Sequence, residues 1–366
     1  MKNNKKILHI IASLGNGGAE RQLIELLKYN KNHAVLLLCD AGIYKKTLKL
    51  YGIKYWELEV KNKLFIFFRF FSYIKILELF KPDAIQAWMY NACLFSTFCK
   101  LLSFNTTPII WSIRCSNMIT KHYSYMLKLT ILSCKYLSKK ADKIIYNSYS
   151  GMKHHISIGF NNKKKTIIFN GVDKKKFKFN KTIRKKLRKK YKIKPLDIAI
   201  ICAARVDPMK NYNNLLKAFQ KIDKKNIINL KLIIIGKDTE KLKIPKDCLA
   251  LGMRMDIEKY YNMADMIILP SSFGEGFSNV LVEGMLTGLI PIATDVGDAR
   301  LIIGNTGYIL KKSNHENIAK FLFKLSGINK NTFAIKRKKA ILRAKEMFSN
   351  EKMLKKYNDI YKEVLN

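Results

Sequence analysis

Apolar runs of four to eight residues alternate with longer segments of helical period along the chain, and this alternation is what most restricts its fold. Ile7 to Ala12, Ala34 to Cys39, Ala84 to Ala87, Pro108 to Ser112 and Lys143 to Tyr146 read as strands in the first half. Asp197 to Ala204, Leu230 to Gly236, Met266 to Leu269 and Ile290 to Ala293 do so in the second. Runs that are apolar at successive positions suit strands covered on both faces, so the pattern predicts an α/β chain with parallel sheets. At 366 residues the chain has room for two such domains. The stretch IIFNGVD ends a strand and turns, and a basic segment from Lys174 to Lys194 follows as a loop and a surface helix. The boundary is therefore placed between residues 1–170 and 171–366. The last segment, 350–365, is a charged amphipathic helix that is expected to pack back on the first domain.

Composition narrows the partners. Basic residues outnumber acidic ones 69 to 27, a net charge of +42, which calls for an anionic partner: nucleic acid, a phosphorylated small molecule or an acidic membrane surface. Lysine fills nearly every surface segment and only ten of the cations are Arg, so each Arg carries more information than any Lys. Seven scattered cysteines without a C-x-x-C suit a reduced cytosol. The start runs from a basic Met1 to Lys6 straight into a strand and then Gly15, Gly17 and Gly18, without a signal-peptide cleavage site. The six histidines are dispersed, and no metal site is expected.

Three segments carry chemistry. Gly15-Asn16-Gly17-Gly18-Ala19-Glu20 stands between the first strand and a helix, where glycines let backbone approach an anion and the helix start aims N–H groups at it. A dinucleotide fingerprint needs a third glycine where Glu20 stands, although Asp40 imitates its ribose-binding acid; a tight turn without ligand and a substrate or phosphate loop are the other readings. Arg205 and Lys210, in AARVDPMKN, lie at a strand end and the next helix entry, where ligands of open parallel sheets gather. The third segment, Ser271 to Gly284, holds Glu275 in a glycine-flanked loop and Glu283 inside the following helix. A carboxylate accepts hydrogen bonds from vicinal hydroxyls such as those of sugars and riboses. An acid-capped helix explains Glu275 without a ligand, but not why Glu283 is followed by a glycine.

One further stretch, Leu64 to Phe80, crowds aromatics on nearly every face while keeping Arg69, Lys75 and Glu78. It is too short and too charged to span a bilayer, so it reads either as a helix lying in the membrane interface or as an apolar helix covering the first sheet. The cationic stretch His122 to Lys143, with Lys128, Lys135, Lys139 and Lys140 among Tyr and Leu, favours the interface.

The block EGFSNVLVEGM, with seven residues between Glu275 and Glu283, resembles the E-x7-E signature of the retaining, nucleotide-sugar-dependent glycosyltransferases of family four. GNGGAERQL, FNGVD, AARVDPMKN, LGMRMDIEKYYNMADMIILPS and TDVGDARLIIGNTGYIL resemble further blocks of that family in the same order. The resemblance implies a GT-B fold, two Rossmann-like domains facing across a cleft, with the acceptor side at the N-terminus and the donor side at the C-terminus. It implies that Glu283 holds the donor ribose, that Arg205 and Lys210 neutralise the departing diphosphate, and that Glu275 stands beside the transferred sugar. Gly276, Phe277, Ser278 and Asn279 would assist through the backbone, Met253 and Arg254 would lie along the base, and Gly15, Gly17 and Gly18 would line the acceptor side. His122 and Arg114 are candidates, by position, for the family's N-terminal-domain group near the sugar. DVGDAR puts Asp298 and Arg300 where the family commonly has a closing-loop glutamate.

The expected function is therefore a cytoplasmic, metal-independent hexosyltransferase on the inner face of the membrane. It would move a sugar from a UDP- or GDP-linked donor to a lipid-linked saccharide for surface polysaccharide, O-antigen, lipopolysaccharide or capsule. Retention of configuration by front-face displacement follows from the resemblance; a covalent route needs a carboxylate nucleophile at the anomeric carbon. The competing readings are a nucleic-acid-binding protein, for which no recognition motif accompanies the charge, and a catalytically silent relative that presents a membrane surface.

Overall fold

The computed structural model describes residues 5–15, 17–60, 68–117, 125–221, 230–325 and 330–366. The chain divides into two compact units, Met1–Gly171 with Glu351–Asn366, and Val172–Asn350.

The first unit is built on a seven-stranded sheet: β1 (Ile7–Ile11), β2 (Ala34–Leu37), β3 (Lys54–Glu57), β4 (Ala84–Trp88), β5 (Ile109–Ile113), β6 (Lys143–Tyr146) and β7 (Lys165–Ile167). Their spatial order is β3-β2-β1-β4-β5-β6-β7 and every pair is parallel, with Leu8 opposite Ala34 on one side and Ile85 on the other. All residues of β1, β4 and β5 are buried, because helices cover both faces. One face packs on helices Phe70–Phe80, Met89–Leu102 and Tyr125–Leu137 through residues such as Tyr73, Phe95 and Cys134. The other packs on helix Gly18–Lys28 through Leu23, Ile24 and Leu27, and on the last helix, Asn350–Leu365. That last helix buries Met353, Tyr357, Ile360 and Tyr361, an i, i+4, i+7, i+8 stripe, in the first unit's core.

The second unit holds β8 (Ile198–Ala203), β9 (Leu230–Ile235), β10 (Cys248–Ala250), β11 (Met266–Leu269), β12 (Ile290–Thr294) and β13 (Tyr308–Leu310). They form a parallel sheet of order β10-β9-β8-β11-β12-β13, the Rossmann order. Asp265, just before β11, is clamped by Arg184 at 2.6 Å and Arg188 at 3.1 Å from helix Lys181–Lys190 and accepts the Ala199 N–H at 2.9 Å. Two arginines of the basic segment thus fasten it to the sheet rather than stand in solvent.

The patterning located the long central strands but not β3, β10 and β13. All three are outermost in their sheets and three or four residues long; β3 is flanked by charges at Lys54 and Glu57, and β10 and β13 offer apolar runs of only three residues. An outermost strand has one neighbour and one open side, so it needs no long apolar run.

In each sheet the strand order reverses once, between β1 and β4 and between β8 and β11. Crevices beyond the carboxyl ends of such strand pairs are where open α/β sheets bind ligands.

Candidate active site

At the reversal in the second unit, three loops converge on Glu275. The first leaves β8 through Ala204 and Arg205 and enters a short turn, Pro208–Lys210, which Asp207 caps by accepting the Met209 N–H at 3.0 Å. Gly236 makes room for this loop: a Cβ there would fall 1.9 Å from the Ala204 carbonyl oxygen. Asn211, in the left-handed region at φ 56°, ties the turn down by donating to the carbonyls of Pro270, at 3.0 Å, and Ser313, at 2.6 Å. The Ser272 N–H donates to the Met209 carbonyl at 2.9 Å.

These bonds put the Lys210 ammonium 2.5 Å from Glu275 Oε1, on which the Ser271 hydroxyl also donates at 2.6 Å. Glu275 is only 7% exposed, so both donors act where water screens them little. Thr294, at the end of β12, donates to the Ser271 carbonyl at 2.5 Å. Gly297, at φ 63°, completes the enclosure, since a Cβ there would lie 2.3 Å from the Glu275 carbonyl oxygen. The Asp298 N–H reaches the Gly276 carbonyl at 3.2 Å. Ser271, Thr294, Asn211 and Gly297 lie in blocks singled out from the sequence but were given no individual role there. The signal for them was adjacency to strand ends, which becomes meaningful only with the strand order.

Arg205 is exposed, and its Nε and Nη2 both donate to Asp207 Oδ2, at 3.2 and 2.9 Å. Ser278 and Asn279 open helix Asn279–Leu286, whose first-turn N–H groups have no intrahelical acceptor. The Phe277 ring turns into its own unit and meets Phe348 edge-on at 5.2 Å. Met253 and Arg254 lie exposed in the loop after β10, with the Arg254 guanidinium over the Tyr260 ring at 5.8 Å.

Glu283 lies inside helix Asn279–Leu286, is 2% exposed, and accepts the Tyr261 hydroxyl at 3.0 Å. The glycine after it has a packing explanation: a Cβ at Gly284 would meet two atoms of Ile267 on β11 at 2.8 Å. Gly284 therefore says how closely the helix lies on the sheet, and it is not evidence for a ligand at Glu283.

In the first unit, Gly17 precedes helix Gly18–Lys28, and the Glu20 carboxylate folds over it, its Oε2 lying 2.2 Å from where a Gly17 Cβ would stand. Apart from its own chain neighbours, no heavy atom lies within 4 Å of the Cβ position of Gly15, so that glycine faces open space. Asp40 accepts the Gly42 N–H at 2.8 Å, which gives it a turn-forming use. Arg114, at the end of β5, is buried: it donates to Tyr357 at 2.8 Å and to Asn170, and stacks on Trp88 at 5.1 Å. His122 lies outside the described residues.

Beneath that crevice runs a buried polar chain. The Trp88 indole N–H donates to His9 Nδ1 at 3.1 Å, so His9 carries its proton on Nε2 and donates to His33 Nδ1 at 2.9 Å. Burial holds His33 down to about 3; burial, with the His33 charge adding, holds His9 well below its ordinary value. On the sheet's other face the Tyr90 hydroxyl meets His155 Nε2 at 2.6 Å, and burial lowers His155 to about 4.

Residues 16–176 match the family described as Glycosyltransferase Family 4, and residues 183–347 match the family described as Glycosyl transferases group 1. The chain is a glycosyltransferase. Over 332 residues, 86% of this glycosyltransferase and 87% of the relative, it is 24% identical to the N-acetylgalactosamine-N,N'-diacetylbacillosaminyl-diphospho-undecaprenol 4-alpha-N-acetylgalactosaminyltransferase of Campylobacter jejuni. It is 28% identical over 165 residues to the lipopolysaccharide 1,2-N-acetylglucosaminetransferase of Salmonella typhimurium, covering 40% of this chain and 42% of that one. The fold of the glycosyltransferase matches that of Anabaena HepE, solved with UDP and glucose, at a TM-score of 0.84 and 20% identity over 98% of this chain and all of that one. The architecture is thus GT-B. The Lys210–Glu275 contact lies in the portion that matches group 1.

Proposed function

We propose that this enzyme transfers a hexose-type sugar from a nucleoside diphosphate donor to a lipid-linked saccharide in the assembly of a surface polysaccharide, with retention of configuration and without a metal, at the cytoplasmic face of the membrane. The observation that carries the donor assignment is the convergence of Lys210, Ser271 and Glu275 at the strand reversal of the second sheet. The lipid-linked acceptor rests on the diphospho-undecaprenol named for the Campylobacter relative, and a uridine donor on the UDP in the Anabaena structure.

The chemistry follows from the side chains. When the anomeric C–O bond to the β-phosphate breaks, charge grows on the leaving diphosphate, and groups preorganised around it lower the barrier. Lys210 has three N–H donors, so it can keep Glu275 and take a phosphate oxygen. Asp207 holds the Nε and Nη2 edge of Arg205 and leaves Nη1 for another. Glu275, held in place by Lys210 and Ser271, accepts hydroxyls of the transferred sugar. Glu283 takes the ribose diol, its carboxylate oriented by Tyr261. The helix start at Ser278 and Asn279 adds partial positive charge, and Met253 and Arg254 flank the base. In front-face displacement the acceptor oxygen bonds to the anomeric carbon on the side that the diphosphate leaves, and the acceptor proton passes to the departing phosphate oxygen. Gly15, Gly17 and Gly18 serve the acceptor side in the first unit.

The test is transfer from radiolabelled UDP- and GDP-sugars to a bacterial lipid-linked saccharide extract in excess chelator, with the product's anomer read by NMR. The expected product keeps the donor's configuration. An inverted product overturns the stereochemistry, activity only after metal is restored overturns metal independence, and transfer only to water or soluble sugars overturns the acceptor.

A further inference from the structure

The helices over one face of the first unit's sheet are apolar on two sides. In Tyr125–Leu137, Leu127, Ile131, Cys134 and Leu137 pack on the core, whereas Tyr125, Leu129, Leu132 and Tyr136 are exposed. The exposed four follow the spacing i, i+4, i+7, i+11 and so form one outward stripe about 17 Å long at 1.5 Å per residue. An ordinary surface helix carries its polar residues there. This one has a tyrosine at each end of the stripe and exposed Lys128, Lys139 and Lys140 beside or just beyond it.

The neighbouring helices share the feature. Helix Phe70–Phe80 buries Tyr73, Ile76 and Leu77, and the Tyr73 ring meets Phe95 of helix Met89–Leu102 at 5.5 Å. Its outward side leaves Phe71 81% and Leu79 63% exposed, with Phe68 just before it and Arg69 and Lys75 among them. Helix Met89–Leu102 joins Tyr125–Leu137 through Cys134 Sγ, which donates to the Tyr90 carbonyl at 3.4 Å, and it ends in exposed Leu101, Leu102 and Phe104. One layer of three helices thus turns large apolar side chains outward among Arg69, Lys75, Lys128, Lys139 and Lys140. The acids on or beside it are fewer than the cations: Glu78 is exposed, Glu59 is exposed in a hollow it shares with Arg69 and Lys75, Glu57 in the same hollow is engaged by Lys45 at 3.4 Å, and Asp142 is engaged by Lys100 at 3.3 Å.

We propose that this outer face of helices Phe70–Phe80, Met89–Leu102 and Tyr125–Leu137 is a docking surface for an anionic lipid bilayer. The tyrosines, leucines and phenylalanines enter the acyl boundary and the lysines and arginine meet the headgroups. Charge decides between a bilayer and a second copy of the chain. A second copy would bring the same cations against these, whereas anionic headgroups neutralise them at about 1 kcal/mol per cation near the surface. Among the described residues no helix is long and apolar enough to cross a membrane, so the contact is with its surface. The surface rests on the lipid-acceptor reading for its purpose, and none of its residues belongs to the donor site.

Flotation of the full chain with vesicles of phosphatidylcholine alone, or of phosphatidylcholine mixed with phosphatidylglycerol, tests the proposal. The wild type is expected to float with the mixed vesicles and much less with the neutral ones. The double variant Leu129→Ser/Leu132→Ser, and separately Phe71→Ser on the neighbouring helix, should lower the partition coefficient about tenfold or more, with melting temperature and stabilisation by UDP unchanged. Variants that float as well as the wild type overturn the surface. So does a wild-type dimer that either variant turns into a monomer, because the face is then a contact between copies. Vesicle binding that survives in a protein without any nucleotide-induced stabilisation supports the docking face while the donor reading fails.

Discussion

Lys210 Nζ and Glu275 Oε1 lie 2.5 Å apart although 65 positions separate the two residues in the chain. The contact depends on Asn211 fastening the loop after β8 to Pro270 beyond β11. A cation and a carboxylate held this way stay in place before substrate arrives, so the charge that a leaving diphosphate needs does not have to be assembled during reaction.

Removing that cation is expected to cost rate more than affinity. Lys210→Ala should lower kcat by about 10²–10³, while Lys210→Arg recovers part of the loss. Steady-state kinetics with a saturating sugar donor separate the two quantities. A change confined to KM would give Lys210 a binding role only.

Gly297→Ala probes the enclosure around Glu275. At φ 63° an alanine is strained by about 1–2 kcal/mol, and its Cβ would press on the Glu275 carbonyl oxygen at 2.3 Å. Activity should fall by far more than denaturant stability. An active variant with normal kinetics would show that the Glu275 loop tolerates displacement.

Tyr261→Phe leaves the Glu283 carboxylate, buried at 2% exposure, without one of its donors. We expect a loss of about 1–3 kcal/mol in urea unfolding, together with weaker nucleotide binding. Unchanged nucleotide affinity at reduced stability would leave Glu283 with a packing role alone.

The buried histidines set an acid sensitivity. An unfolded histidine titrates near 6.5, whereas His33 stays neutral down to about 3 and His155 down to about 4. Between these limits the unfolded chain binds more protons, so their contribution to stability is complete above about pH 6.5 and is lost as pH falls toward their folded values. Each contributes a slope of up to about 1.4 kcal/mol per pH unit. Urea midpoints measured between pH 7 and 5 should show a shallower pH dependence in His33→Gln than in the wild type. Parallel curves would assign the acid sensitivity elsewhere.

Much of this was readable in the sequence because central parallel strands, covered on both faces, are largely apolar, as Ile198–Ala203 is throughout and Ile7–Ile11 is except at His9. The rim strands were not, since β10 and β13 have no comparable run. At the site, Arg205, Lys210 and Glu275 stood out as charged residues in loops that follow strands, and Glu283 by its spacing from Glu275. Ser271 and Thr294 did not, because a hydroxyl gains meaning only from what its strand lies beside. Gly284 shows the opposite error, as a glycine that suggested function is explained by Ile267 beneath it. Arg114, a candidate by position, is buried with Tyr357 from a helix about 240 residues away in the chain, which no local pattern announces.

The most direct test of the donor site is thermal stabilisation by UDP, GDP and ADP in excess chelator, measured on the wild type, Glu283→Ala and Lys210→Ala. At about a hundred times its dissociation constant a ligand adds roughly 2.7 kcal/mol, an easily read shift. One nucleoside diphosphate is expected to stabilise the wild type without metal, to lose most of that effect in Glu283→Ala and to lose a smaller part of it in Lys210→Ala. Equal stabilisation of all three proteins, or none with any of the nucleotides, would contradict the assignment of this site to the sugar donor.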